Sequence, residues 1–207
     1  MDTYARSRSE PKLEDLMRFP PDLLKRVFKQ GNRFMVAMFR LGLGPFISNQ
    51  YSGYIMVLTT TGRRTGLRRR TPVNFALGDG EVYCISGFGR TSDWYHNLVA
   101  NPEVHVWLGG EGWHGRAEVL SDPVEWVPIY RRVIARSGFA ESAFTTRPYS
   151  TLSDDEISRL GDGSAVRIRL GERLPKEDAP GDLRWVWPAL GGLLFARWLL
   201  CRPRRRC

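Results

Sequence analysis

Apolar and polar positions change rhythm several times along this chain, and the changes mark out its parts. Residues 1–20 read as a polar arm. From Pro21 to Leu43 apolar residues fall at helical spacing, first Leu23, Leu24, Val27 and Phe28, then a denser block from Phe34 to Phe39. Pro21-Asp22 suits a helix start, and Gly42, Gly44 and Pro45 stop it. The second half of this helix is apolar almost all round, which implies burial or contact with lipid.

The rhythm then shortens to that of strands. Tyr54 to Thr61 is rich in β-branched residues and ends at Gly62; Thr71 to Leu77 follows, and Asp79-Gly80 turns the chain into Glu81 to Ser86. Glu103 to Leu108 alternates, Gly109-Gly110 turns it into Gly112 to Leu120, and Ala165 to Leu170 is a last strand. Short strands joined by tight turns predict an antiparallel meander, closed or half-closed into a barrel, so the fold class is mainly β with peripheral helices. Three short helices are expected between the strands: from the N-cap Ser92 to Asn101-Pro102, from Asp122-Pro123 to about Ser137 with a kink at Pro128, and from Ser153. Gly138 to Leu152 reads as a loop and Gly171 to Gly181 as a charged linker. The division expected is thus an arm over 1–20, a barrel domain with its leading helix over 21–171, and a linker with an apolar helix over 172–207.

At 207 residues, with a hydrophobic fraction of 42%, the chain has enough apolar surface for a real core, which excludes wholesale disorder. Its net charge of +9 favours acidic partners: nucleic acid, anionic lipid or a small polyanion. Cys84, Cys201 and Cys207 are an odd set without framework spacing. They argue for a reducing compartment and against a disulfide scaffold or zinc site, and no signal-peptide pattern opens the chain, so a cytoplasmic protein is expected.

The charge is concentrated between two of the strands. Thr61 to Pro72 holds Arg63, Arg64, Arg68, Arg69 and Arg70, with no acidic residue from Gln50 to Gly78. Gly62 and Gly66 allow the backbone to turn tightly, and arginine forks match phosphate and carboxylate oxygens two bonds at a time. Five arginines in eight residues repel one another without a counter-anion, so the loop points to an anionic ligand rather than a solvated hairpin tip.

Leu58-Thr59-Thr60-Thr61-Gly62-Arg63-Arg64-Thr65-Gly66, then Arg69-Arg70-Thr71-Pro72, then Trp94-Tyr95-His96-Asn97-Leu98 with Ala100-Asn101-Pro102, resemble the deazaflavin-dependent nitroreductase family. Its members use reduced coenzyme F420, and the resemblance covers about residues 30–170. It implies a split β-barrel of the FMN-binding kind and a cofactor-binding role for thirteen residues. Arg63, Arg64, Thr65 and Arg69 would hold the cofactor's phosphate and oligoglutamate tail. Thr71, Pro72 and Val73 would line the deazaflavin edge through backbone groups. Ser86, Gly87 and Phe88 would face the ring or the phosphate, and Trp94, Tyr95 and Asn97 would close the site. Trp94 and Tyr95 are equally readable as core anchors. No catalytic acid is named by the sequence. Where nitro-reducing members place tyrosines after the long helix, this chain has Phe139 and Phe144 and no tyrosine until Tyr149. An apolar small-molecule acceptor, such as a quinone or enone, therefore suits it better than a nitro compound.

Two other readings stay open at this point: a barrel holding FMN, and a basic nucleic-acid-binding module. The arginines lack interleaved aromatics for base stacking, so no nucleic-acid partner is expected. His105 and His114 should face each other across the Gly109-Gly110 hairpin, but no third ligand is placed beside them, so no metal is expected. Cys84 reads as a small core residue. Finally, Trp185 to Leu200 is apolar, with tryptophans at both ends, Arg197 inside and Arg202, Arg204, Arg205 and Arg206 after it. It spans about 24 Å as a helix, short of the roughly 30 Å of a bilayer's hydrocarbon. The expectation is an interfacial helix on the anionic inner face of the plasma membrane, with packing on the barrel or in a homo-oligomer as the other choice.

Overall fold

In the computed structural model, which describes residues 21–87, 89–138, 148–160 and 165–200, six strands close on themselves in the order β1-β2-β3-β6-β5-β4, every pairing antiparallel. They are β1 (Ile55–Thr61), β2 (Arg68–Gly78), β3 (Glu81–Ile85), β4 (Glu103–Leu108), β5 (Glu111–Val119) and β6 (Ala165–Arg173). The expected meander is therefore a closed barrel. Around it lie α1 (Pro21–Arg40), α2 (Gly44–Ile47), α3 (Asp93–Ala100), α4 (Pro123–Ile134), α5 (Asp154–Leu160) and α6 (Val186–Leu200). The expected polar arm, Phe88, the phenylalanines at 139 and 144, and the arginines after position 200 lie outside the described residues.

Strand alternation sorts the apolar residues into three clusters. Met56, Leu58, Val73, Phe75, Val82, Val104, Val106, Val166 and Ile168 form one cluster inside the barrel, closed by Trp94, Tyr95 and Leu98 of α3. Ala76, Tyr83 and Ile85 face outward under Trp126, Ile129 and Val133 of α4 and Ile157 of α5. Val57 and Trp107 face outward on the other side, under Phe39 of α1. β1 is thus covered on both faces, which is why its sequence is one unbroken run from Met56 to Thr60 rather than an alternation. Cys84 is fully buried, and burial pushes its thiol up to about 12, so it is a core side chain as expected.

The turn chemistry is as the sequence implies. Asp79 and Gly80 have φ of 53° and 76°, and Gly109 and Gly110 have 60° and 86°, the doubly left-handed geometry of a two-residue hairpin. Asp122 caps α4 by accepting from the Val124 N–H at 2.9 Å, and the helix runs on through Pro128. Ser153 and Glu156 form a reciprocal box at α5: the hydroxyl accepts from the Glu156 N–H and the carboxylate from the Ser153 N–H.

Two expectations need correction. The arginine loop is shorter than it reads: Arg68 to Arg70 are in β2, paired with Thr61 to Thr59 of β1. The charged stretch after Gly171 is no free linker either. β6 runs on to Arg173, Leu174 is buried and donates its N–H to the Gly112 carbonyl, and Trp107 Nε1 donates to the Asp178 carbonyl at 2.8 Å. The strap ends against α1, where Leu183 N–H donates to the Arg40 carbonyl and Arg40 pairs with Asp182 at 2.6 Å. Buried contacts to Trp107 and a bidentate ion pair outweigh the polar composition that suggested a linker.

Candidate functional site

The basic segment begins with a tight turn. Gly62 accepts through its carbonyl from the N–H groups of Thr65 (3.2 Å) and Gly66 (2.8 Å), and donates its own N–H to Leu67 at 2.9 Å. Gly66 sits at φ +67°, a conformation that side chains rarely tolerate. Beyond the turn, β2 alternates, so the five arginines are not equivalent. Arg68 and Arg70 share the outward face: Arg68 pairs with Asp178 at 2.9 Å, and Arg70 stacks over the Trp107 ring at 4.7 Å. Arg69 shares a face with Thr71 and Val73, the face that turns into the barrel.

Arg63 is held from α3. Its guanidinium donates to Asp93 Oδ1 and Asn97 Oδ1, both at 3.1 Å, and its backbone N–H donates to the same Asn97 oxygen at 3.2 Å. The Asn97 amide nitrogen donates to the Thr60 hydroxyl at 3.3 Å. Asn97 is 4% exposed and joins the arginine turn, β1 and α3 in one network. Asn97→Ala leaves the Arg63 N–H and the Thr60 hydroxyl without their partner. It should cost about 1–3 kcal/mol of stability, read by urea unfolding, because the deserted groups are part-buried. A loss smaller than that of an exposed alanine substitution would show the network to be incidental.

Arg64 and Arg69 remain, and among the described residues neither has a carboxylate or hydrogen-bond partner. Both line a cleft of about 530 Å³ between the turn, β2 and the start of α3. Of the residues expected at the site, the cleft gathers Arg63, Arg64, Thr65, Arg69, Thr71, Trp94 and Asn97. Among the described residues it does not gather Pro72, Val73, Ser86, Gly87 or Tyr95. Pro72 is on the outer face of β2 opposite Val57, and Val73 is buried inside the barrel. The Ser86 hydroxyl lies 2.6 Å from that of Ser92, which is why Ser92 opens α3 without capping it. Gly87 is exposed, and Tyr95 faces a separate depression with Arg90, Leu98 and Val99 on the far side of α3. Trp94 packs in the core, as one of its two sequence readings has it, and also lines the cleft. Gly62, Arg68, Arg70 and Asp93 also line the cleft; Asp93 was legible only as a first-turn acid of α3.

β2 carries a further feature. It pairs with β1 from Arg68 to Asn74 and with β3 only from Phe75 to Gly78. Among the described residues no strand pairs with the arginine half on its second side, so alternate backbone groups there point away from β1 without a ladder partner. A proline at position 72 is tolerated because of that open side.

Outside the cleft, His105 and His114 do face each other, with ring centroids 4.8 Å apart, and no metal-binding group of three occurs among the described residues. Burial, then the Arg68 guanidinium and His114, hold His105 below its ordinary value of 6.5, although Asp178 opposes them. The Arg68 hydrogen bond holds Asp178 below the usual carboxylate range. Both groups are easier to protonate in the unfolded chain, so stability rises with pH where they titrate. Acidification from neutrality should therefore weaken the protein first through His105, below about 6.5, and only later through Asp178. His105→Gln should flatten the stability–pH curve between neutrality and mild acid; an unchanged slope would contradict the assignment.

Residues 32–146 match the model of a family described as F420H(2)-dependent quinone reductase. The chain belongs to this family. The match contains the arginine turn, β2 and α3, and ends before β6 and α6. An F420H(2)-dependent quinone reductase of Mycobacterium tuberculosis (strain H37Rv) is 38% identical over 74 residues, which is 34% of this chain and 46% of the relative. The same figures hold for the protein of that name from strain CDC 1551. The aligned stretch thus spans about half the length of the curated relatives. Among solved structures, an F420-H2 dependent reductase named FDR-A is 21% identical, with a TM-score of 0.39, over 56% of this chain and 93% of its own. A heme storage protein of Vibrio cholerae is 14% identical, with a TM-score of 0.39, over 70% and 91%. Family membership narrows the first resemblance from nitroreductases in general toward the quinone reductases.

Proposed function

We infer that this protein binds reduced coenzyme F420 in the arginine cleft and reduces a quinone-like apolar acceptor. The observation that carries the reading is the pair Arg64 and Arg69, two cations without a carboxylate partner among the described residues, in a cleft walled by Trp94. Holding like charges together without counter-charges is unfavourable, and an anionic ligand relieves it. The donor set fits a phosphate with a carboxylate tail: Arg64 and Arg69 as free forks, Arg63 already oriented by Asn97, and Thr65 in the turn.

The open side of β2 at Thr71, Pro72 and Val73 would hold the ring edge, Pro72 and Val73 through backbone groups only. Ser86 and Gly87, beyond the end of β3, remain candidates for the ring's other border. When bound, the reduced deazaflavin supplies a hydride. The chain's own part is to bind, orient and exclude water. Asn97 fixes the turn, Arg64 and Arg69 fix the anionic end, and the buried indole of Trp94 presents an apolar wall. No side chain is assigned as proton donor. The apolar acceptor could be a quinone or another enone; nitro compounds are the poorer candidates.

Mixing the protein with reduced F420 and a water-soluble naphthoquinone tests the reading. Oxidation of the cofactor should proceed many-fold faster than without protein, and faster than with a nitroaromatic. If F420 binds but no quinone is reduced, the acceptor is wrong. If FMN binds and F420 does not, the cofactor is wrong. If neither binds and nucleic acid does, with a steep salt dependence, the basic-module reading replaces this one.

A further inference from the structure

The family match ends well before α6, and the cleft does not use that helix, yet it carries more exposed large hydrophobic side chains than any other described element. Leu193 and Phe195 project from opposite sides and are 68% and 60% exposed. Trp185, Trp187 and Trp198 stand near its two ends, each about half exposed or more. An apolar helix with no polar face belongs in a protein interior or in hydrocarbon. Its 15 residues span about 22 Å, and no described helix is long and apolar enough to cross a membrane.

Charge decides between the possible coverings. From Leu183 onward there is no acidic residue, while Arg184, Arg197, Arg202, Arg204, Arg205 and Arg206 are all cationic. A second copy packed on α6 would bring two such sets together without counter-charges. An anionic lipid surface supplies the counter-charge along with the apolar phase. Tryptophan and arginine near both ends anchor them at headgroup depth, and the apolar stretch between them, Leu190 to Phe195, enters the hydrocarbon.

The root of the helix is fixed to the barrel. Trp187 Nε1 donates to the Leu41 carbonyl at 3.0 Å, beside the Arg40–Asp182 pair and the Leu183–Arg40 backbone bond. The Leu41-Gly42 turn leads at once into α2, which exposes Phe46, adding an apolar contact near that root. The same strap carries Asp178, which pairs with Arg68 at the rim of the arginine cleft.

We propose that α6 anchors the protein in anionic lipid bilayers without crossing them, held on the barrel by the 174–183 strap so that the arginine cleft keeps a fixed attitude to the membrane. The anchor is independent of the redox reading, since it uses no cleft residue. Full-length protein is sedimented with vesicles of phosphatidylcholine containing phosphatidylglycerol and, separately, of phosphatidylcholine alone. Strong binding to the first, at least roughly tenfold weaker binding to the second, and loss of binding in Leu193→Asp/Phe195→Asp are expected. Replacing Arg202, Arg204, Arg205 and Arg206 by glutamine should weaken binding roughly tenfold or more at low salt, and serves if the aspartate pair does not fold. Unchanged cofactor affinity in these variants separates failure of the anchor from failure of the cofactor assignment. Protein that stays in the supernatant with anionic vesicles overturns the proposal. So does a concentration-dependent dimer that the aspartate pair converts to monomer, with no vesicle binding, which would assign the face to a second copy.

Discussion

Replacing Arg64 and Arg69 together by alanine should lower the affinity for coenzyme F420 by roughly 10²–10⁴-fold, since hydrogen bonds to a charged partner contribute about 1.5–3 kcal/mol each. The range reflects how fully each fork is engaged. Arg64 sits in the turn and Arg69 on the face that continues into the barrel, so they approach a bound anion from different elements. The effect should exceed that of removing any other pair of arginines, because the other three in the segment already have partners: Arg63 with Asp93, Arg68 with Asp178 and Arg70 with Trp107. Arg116→Ala is the control for charge alone. Arg116 pairs with Glu103 across β4 and β5 and does not line the cleft, so its loss should change cofactor affinity far less. A fluorescence titration in which the Arg64/Arg69 pair matters no more than Arg116 would remove these two residues from the site.

The largest expected loss of stability lies elsewhere, where two backbones touch. The exit of α4 crosses the approach to β1, with the Tyr54 N–H donating to the Arg136 carbonyl at 2.9 Å. Gly138 has φ +60°, and a Cβ there would lie 2.5 Å from the Tyr51 carbonyl oxygen and 2.8 Å from the Ser52 carbonyl carbon, besides striking the Gly53 nitrogen. These are backbone atoms that cannot rotate aside, and Gly53 is itself at φ +91° against Ser137. Gly138→Ala should cost about 3 kcal/mol or more and lower the melting temperature by roughly 6–12 °C. Gly80→Ala is the comparison: its φ is +76°, but nothing lies within 4 Å of its added carbon, so only backbone strain of about 1–2 kcal/mol is expected. Calorimetry showing equal losses at the two glycines would mean that the crossing relaxes freely.

The barrel was legible because its signals are local. Asp79-Gly80 and Gly109-Gly110 each demand a left-handed two-residue turn, and the β-branched and alternating runs beside them have strand periods. The His105–His114 pairing follows from turn length alone. What local pattern could not show is which residues are held by distant ones. Arg68 looks like a loop residue until Asp178, 110 positions away, is found against it. Gly171 to Gly181 reads as a linker because its docking rests on Trp107 and Leu174, and neither contact has a sequence period. The site was legible in kind rather than in detail. Arginines and Trp94 do gather around one cleft, but the sorting of five arginines into three held and two free depends on β2 reaching back to Arg68, which the run of charges concealed. Asn97, expected at the site, lines the cleft, and its role as a buried brace between the turn, β1 and α3 has no sequence signal. Pro72 and Val73 could be assigned only through the backbone, since their side chains point outward and inward from β2.

Whether Arg64 and Arg69 hold a phosphate with a polycarboxylate tail is read most directly by titrating the purified protein with coenzyme F420, with the same deazaflavin lacking its oligoglutamate tail, and with FMN. Tight binding of F420, weaker binding of the shortened deazaflavin and the weakest binding of FMN are expected, with the difference between the first two shrinking in Arg64→Ala/Arg69→Ala. Equal affinity for all three ligands, or FMN bound best, would contradict this assignment.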